Sequence, residues 1–285
     1  MTALLTPFGR KGEVSESALS DLVSFQIARG TEGLFPCGTT GLGPMLRTEE
    51  RKRVAEVVIN ENSGKVPVVV QVGSADTCST MELAKHAEKV GADAVASLTP
   101  YYYKPGDAAV IKHFEAVARL VSIPLFAYNI PQFTGNNLQP SVISRMARAG
   151  TIAGVKDSSR DFLHLQEIIR TAPDGFMTMN GTEEYGLFAL MVGADGLVSG
   201  GANAFPEALK GVVEALRDGE YDRAFAAHRK VIRIKEAVSA APIGAYYEVL
   251  RQRGIECGAP RPPMLPLKGA AKTRLKKSLS AIDAW

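Results

Sequence analysis

Tryptophan occurs once in this 285-residue chain, cysteine three times and histidine four times. The cysteines, Cys37, Cys78 and Cys257, are odd in number and widely spaced. That excludes a disulfide framework and a zinc-binding spacing. The histidines, His86, His113, His164 and His228, each fall inside a helical pattern, far from any cysteine. They read as surface or packing residues; none is assigned as a metal ligand, and neither metal nor cofactor is expected. Charge of one sign is also scarce. The net charge is +3, with Lys and Arg scattered, so nucleic acid is not a favoured partner. The basic stretch from Lys268 to Lys277 reads as the solvated face of a terminal helix. No apolar run approaches the length of a membrane span and no signal-like leader precedes the first strand, so no membrane partner is expected. A reducing cytoplasm is the consistent compartment.

What is present is an alternation of two periods, one of two residues and one of about 3.6. Strand-like runs start at Ala3, Gly33, Val66, Ala94, Pro124, Ile152, Phe176 and Gly196. Amphipathic helical stretches separate them, among them Ser15 to Ala28, Thr48 to Asn62, Thr77 to Val90 and Asp107 to Val121. Gly30, Gly91, Gly150 and Gly193 stand where a helix stops before the next strand, the place for a left-handed residue. Strands each followed by a helix imply parallel pairing, and right-handed crossovers favour a closed (β/α)8 TIM barrel. An open doubly wound sheet would want a glycine-rich phosphate loop after the first strand, and Thr6-Pro7-Phe8-Gly9 is not one. After about Gly219 the pattern is helical only, over Tyr221 to Ser239, Ile243 to Arg253 and Gly269 to Ile282. The expected organisation is a catalytic barrel over 1–219 and a three-helix C-terminal extension over 220–285. The proline-rich link from Ala259 to Leu267 cannot be helical and is expected to lie extended on the surface.

Lys156 closes the apolar run Ile152-Ala153-Gly154-Val155 and is followed by Asp157-Ser158-Ser159. An ammonium at a buried strand end is costly unless it is paired or loses its proton. Two readings follow: a structural ion pair with Asp157 or a neighbouring carboxylate, or a neutral amine acting as nucleophile. Two other strand ends favour the second. Phe126-Ala127-Tyr128 ends in a phenol. Leu34-Phe35-Pro36-Cys37 runs into Gly38-Thr39-Thr40-Gly41, a hydroxyl-bearing glycine turn suited to a carboxylate. An amine, a phenol and a carboxylate cradle are the parts needed to make a Schiff base with a 2-oxo acid. The bland alternative for Thr39 and Thr40 is a polar turn satisfying its own backbone. That for the triplet Tyr101-Tyr102-Tyr103 is contact area in an interface.

Four motifs in this order, Gly38-Thr39-Thr40-Gly41, Pro100-Tyr101-Tyr102, Tyr128-Asn129-Ile130-Pro131 and Gly154-Val155-Lys156-Asp157, resemble the dihydrodipicolinate synthase / N-acetylneuraminate lyase family. The resemblance spans essentially the whole chain. It implies a class I aldolase mechanism on a (β/α)8 barrel with a C-terminal helical extension. It also implies a homotetramer built from tight dimers, acting on a 2-oxo acid and an aldehyde. By the same resemblance Lys156 is the Schiff-base lysine, Tyr128 the catalytic tyrosine, Thr39 the relay threonine and Thr40 the carboxylate-binding one, within the Gly38 to Gly41 turn. Tyr102 matches the tyrosine that reaches a neighbouring subunit's site, and Val198 the residue lying against bound pyruvate.

The resemblance also bears on substrate. The synthases carry an arginine for the second substrate's carboxylate where this chain has Phe133, in Tyr128-Asn129-Ile130-Pro131-Gln132-Phe133-Thr134-Gly135. A phenyl ring cannot make that bidentate contact. Gly41-Leu42-Gly43-Pro44, Tyr101-Tyr102-Tyr103 and the segment from Arg261 to Leu267 resemble archaeal 2-keto-3-deoxygluconate aldolases. There, places matching Ser158 and Glu183, the latter in Asn180-Gly181-Thr182-Glu183, contact substrate hydroxyls. Ile130 departs from the tyrosine those aldolases can carry. The expectation is a Schiff-base pyruvate aldolase cleaving 2-keto-3-deoxygluconate to pyruvate and glyceraldehyde. The alternative is a dihydrodipicolinate synthase-like condensing enzyme or another pyruvate lyase or hydratase. Two remoter readings, a pyridoxal phosphate anchor at Lys156 and a catalytically silent binding barrel, lack a convincing phosphate loop and conflict with the intact Lys-Tyr-Thr set, respectively.

Overall fold

Short runs of β-branched and small apolar residues form six parallel strands that neighbour one another in chain order. They are β1 Val69–Gln71, β2 Ala94–Leu98, β3 Leu125–Asn129, β4 Gly154–Asp157, β5 Met177–Asn180 and β6 Gly196–Leu197. β1, β2 and β4 are buried along their whole length, as expected of parallel strands covered by helices. This computed structural model describes residues 1–239 and 241–284.

The ring closes through two shorter segments. Thr2 bridges Leu34 and Ser199, and Leu34 bridges Val68, all in parallel. The runs expected at Ala3 and Gly33 are thus present as single bridges rather than extended ladders. Prolines account for the difference. Pro7, Pro36 and Pro67 flank these segments and lack the N–H that would continue a ladder. The chain has the (β/α)8 TIM-barrel fold with C-terminal helices.

Helices α1 Glu16–Ala28, α2 Thr48–Asn62, α3 Thr77–Lys89, α4 Asp107–Ala118, the single turn α5 Pro131–Thr134, α6 Pro140–Arg148, α7 Phe162–Thr171, α8 Gly186–Met191 and α9 Pro206–Arg217 connect the strands. Their starts follow local chemistry. Asp76 accepts from Ser79 N–H at 2.8 Å, and Asp161 from His164 N–H at 3.0 Å. The four expected stop glycines all have left-handed φ, from 69° at Gly150 to 102° at Gly193.

Helices α10 Tyr221–Val238, α11 Pro242–Gln252 and α12 Ala270–Ala281 follow. They share one apolar core with the barrel: Ile234, Val238, Val249 and Leu275 belong to the same cluster as Leu4, Leu5 and Phe8. Tyr247 Oη donates to the Thr6 carbonyl at 2.5 Å. The proline-rich link is non-helical, as its composition predicts, and one residue pins it. Arg261 pairs with both oxygens of Glu50 at 2.7 and 2.9 Å, donates to the carbonyls of Gly12 and Met45, and lies over the Phe8 ring. The hydrogen bond from Arg261 is the leading cause that holds the Glu50 carboxyl down at about 2.

That pair generates a stability prediction. A carboxyl with a depressed folded pKa stabilises above its ordinary range, and the contribution is lost as pH falls toward about 2. Arg261→Ala should lower unfolding free energy by about 1.5–3 kcal/mol, the worth of hydrogen bonds to a charged group. Urea unfolding at pH 7 and at pH 3 reads it; the gap between parent and variant should narrow at the lower pH.

Candidate active site

Side chains alternate faces along a strand, and that alternation builds the site. In β4, Lys156 points into the barrel while Asp157 points out toward the helices. Lys156 is 4% exposed and lies in register with Tyr128 on β3 and Met179 on β5. Its Nζ sits 3.9 Å from the Tyr128 ring centroid and 4.1 Å from that of Phe35. Phe35 and Tyr128 meet edge to face at 5.7 Å. The amine is therefore boxed by two aromatic faces.

No carboxylate lies within salt-bridge distance of Lys156 among the described residues. Asp157, the partner expected on the ion-pair reading, is bonded instead to Asn129 and Ser159. Burial holds the Lys156 pKa below its ordinary value, with the Tyr128 phenol partly opposing the shift. The neutral, nucleophilic fraction of the amine therefore grows at lower pH than for an exposed lysine. The ion-pair reading of Lys156 is thereby left without a partner among the described residues.

The Gly38 to Gly41 turn lies beside this box. Thr39 Oγ1 is 3.2 Å from Tyr128 Oη, the contact a proton relay needs. The turn's own backbone bonds use the N–H groups of Leu42 and Gly43, and do not consume those of Thr39, Thr40 and Gly41. Gly41 is required here: a Cβ would lie 2.6 Å from the Leu4 carbonyl oxygen. Gly200 packs just as closely on the turn, since a Cβ there would approach Thr40 Oγ1 to 2.9 Å. Val198 is buried in the barrel interior with Phe35, Tyr128 and Ile130.

Gly181, just past the C-terminal end of β5, packs closely on the end of β4. A Cβ there would collide with the Ser158 hydroxyl and come within 3.2 Å of Lys156 Cε. Glu183 is buried and already engaged. It accepts from Ser199 Oγ at 2.5 Å and Gly201 N–H at 2.7 Å, and pairs with Lys235 of α10 at 3.2 Å. Two expected residues stand apart from this cluster within a single chain. Tyr102 is 87% exposed, with φ of 78°, and Phe133 on α5 is 68% exposed. Among the described residues no group of three or more His, Cys, Asp or Glu is placed to hold a metal ion, and no helix is long and apolar enough to cross a membrane.

A cavity of about 610 Å³ opens at the opposite mouth, among Met1, Val69, Ala94, Phe126 and Met177, and reaches Lys156 from beneath. It lies at the N-terminal ends of the strands, whereas barrel chemistry sits at the C-terminal ends, where Tyr128, Lys156 and the Thr39 turn converge.

The dihydrodipicolinate synthetase family matches residues 1–282. This chain belongs to that family. It is 35% identical over 283 residues to the 4-hydroxy-tetrahydrodipicolinate synthase of Desulfotalea psychrophila, covering 99% of this chain and 95% of that one. An Escherichia coli K12 prophage protein of the dihydrodipicolinic acid synthase family, solved in complex with pyruvate, superposes with TM-score 0.95 at 29% identity, covering 100% of this chain and 98% of that one. KD(P)GA from T. tenax superposes with TM-score 0.91 at 30% identity, covering 99% and 98%. The chain is a Schiff-base-forming, pyruvate-dependent enzyme of the class I aldolase and synthase type.

Sequence reasoning missed the aromatic box, because Phe35 reads as one more apolar strand residue. It also missed the outward cluster of Asn129, Asp157 and His164. The one available signal was the register itself: Asn129 and Asp157 each follow a candidate catalytic residue by one position.

The 3.2 Å contact of Tyr128 with Thr39 yields a direct expectation. Tyr128→Phe keeps the ring beside Lys156 and removes only the hydroxyl. Turnover should fall by roughly 10²–10⁴-fold, the usual share of a positioned general acid–base group. Pyruvate binding, followed by calorimetry, should stay within a few-fold.

Proposed function

We propose that Lys156 carries pyruvate as an imine, and that the derived enamine is joined to an aldehyde or released from the reverse cleavage. The observation that supports this best is the buried Lys156 amine, boxed by Phe35 and Tyr128 and unpaired with any acid among the described residues. The neutral Nζ adds to the 2-oxo carbon, and the carbinolamine expels water. The resulting iminium draws electrons from the adjacent methyl, which loses a proton to give the nucleophilic enamine. Tyr128 moves these protons and Thr39 passes them on. Thr40 and the Gly38 to Gly41 turn hold the carboxylate, and Val198 lies against the bound pyruvate. Tyr102, contributed by a second copy in a homotetramer built from tight dimers, completes the relay. Three free thiols suit the reducing cytoplasm in which we place the enzyme.

The aldehyde distinguishes two readings. The relatives' name supports a dihydrodipicolinate synthase-like condensing enzyme, which needs a cation for a second carboxylate. Phe133 cannot supply one, but Lys104 stands close by: its Cε lies 3.8 Å from where a Cβ at Gly135 would be. The second reading is cleavage of 2-keto-3-deoxygluconate to pyruvate and glyceraldehyde. It is supported by the apolar Phe133, the buried Ser158 hydroxyl two residues past Lys156 and the T. tenax neighbour. Glu183 supports it less, since its carboxylate already serves three donors.

Side-by-side assays of pyruvate with aspartate semialdehyde and with glyceraldehyde, in the parent and in Lys104→Gln, separate these. On the synthase-like reading aspartate semialdehyde is the better acceptor. Lys104→Gln then raises its KM about tenfold or more, the loss expected for a hydrogen bond to a charged group. On the sugar-acid reading glyceraldehyde is preferred and Lys104→Gln changes little. Failure of both aldehydes to turn over with pyruvate would contradict either reading.

A further inference from the structure

Behind Lys156, on the outward face of the same strand ends, lies an aspartate–histidine pair that the chemistry above does not use. Asp157 is 0% exposed. Its Oδ1 accepts from Asn129 Nδ2 at 2.7 Å and its Oδ2 from Ser159 Oγ at 2.7 Å. Among the described residues the basic side chain facing it is His164 of α7, whose Nδ1 lies 3.4 Å from Oδ1. The opposite nitrogen, Nε2, is 2.9 Å from the Leu138 carbonyl oxygen. A carbonyl only accepts, so Nε2 holds a proton. With that proton alone, the ring would turn the bare lone pair of Nδ1 toward a buried carboxylate; Nδ1 is buried and makes no hydrogen bond, so the 3.4 Å approach to Asp157 is its one polar contact among the described residues. A second proton converts this repulsion into an ion pair and supplies the charge that a buried carboxylate lacks.

The pair is wired to both catalytic strands. Asn129 and Asp157 are in register, one step beyond the registered Tyr128 and Lys156. Asn129 Nδ2 also reaches Asn137 Oδ1 at 2.9 Å, and its Oδ1 accepts from Leu138 N–H at 3.0 Å. The Asp157 carbonyl accepts from Gly181 N–H at 2.7 Å, and the Asn129 carbonyl from Ser158 N–H at 2.8 Å. The ends of β3, β4 and β5 thus meet in one polar network whose single buried negative charge is Asp157.

We propose that His164 is held as an imidazolium and acts as a positioning residue, neutralising Asp157 and thereby fixing the strand ends that aim Lys156 and Tyr128 at each other. The effect on turnover rests on Lys156 and Tyr128 being the reacting pair; the protonation state does not. Besides Asp157, the titratable groups around the ring are Asp161, which caps α7, and Tyr185, packed on Phe162 of α7. Burial pulls the His164 pKa down, but the neighbouring Asp157 carboxylate, aided by the Leu138 carbonyl and Asp161, outweighs it and leaves it raised. A raised histidine pKa means the stabilisation is complete below about pH 6.5, the unperturbed value, and is lost as pH rises through the folded-state value.

Nitrogen NMR of the histidine-labelled parent enzyme tests the protonation state without reference to activity, with His164 assigned by the signal missing from His164→Gln. At pH 6.5, where an unperturbed imidazole is about half protonated, both His164 nitrogens should carry protons for most of the population. A predominantly bare Nδ1 would overturn the proposal. In His164→Gln, kcat should fall on the order of tenfold through misaimed groups, with pyruvate KM within about threefold. The falling limb of the kcat–pH profile that belongs to His164 should disappear. Removing the stranded charge in Asp157→Asn/His164→Gln should restore part of kcat. A His164→Gln enzyme with the parent's kcat and pH profile would refute the positioning role even if the imidazolium is observed.

Discussion

An amine buried without an acid beside it holds its proton less tightly than an exposed one, and the rest of this site is arranged around that constraint. Lys156 is held between two aromatic faces at the end of β4, where solvation is poor and, among the described residues, no carboxylate compensates its charge. Desolvation of this kind raises the neutral, nucleophilic fraction of an amine at a given pH. The phenol of Tyr128 and the hydroxyl of Thr39 then need only lie within proton-transfer reach, and they do.

The barrel meets this constraint through the pleat of its strands. One residue faces in and carries chemistry; the next faces out and carries structure. Tyr128 and Lys156 share the inner face, while Asn129 and Asp157 share the outer one. The acid next to Lys156 in sequence is thereby removed from it in space and given other donors. A one-residue slip of β4 would exchange the two sets, so register and reactivity are a single property of the sheet. Glycines at 41, 181 and 200 let neighbouring loops approach closely where any side chain would collide.

Much of this was legible in the sequence. The alternation of periods marked the barrel, and the four helix-stopping glycines fell where left-handed residues were expected. Lys156, Tyr128 and the Thr39 turn were singled out because each ends an apolar run, and strand geometry brings them together at the mouth of the barrel. Other features were not legible, for identifiable reasons. Prolines shortened the first two strands to single bridges. Which acid faces which base depends on the face a side chain takes, so the sequence left Asp157 open as a partner for Lys156, whereas in the fold it faces His164. Glu183 read as a free hydrogen-bonding group, but its donors come from Ser199, Gly201 and Lys235, which only the folded chain brings near. The identity of the aldehyde rests on side chains at the rim, such as Phe133 and Lys104, which packing constrains least.

Borohydride reduction in the presence of isotopically labelled pyruvate, followed by peptide mapping, tests most directly whether the buried amine is the reactive group. Label fixed in stoichiometric amount on the peptide carrying Lys156, and absent when pyruvate or borohydride is omitted, is the result the structure predicts. Label on another lysine, or no covalent adduct under conditions where the enzyme turns over, would contradict it.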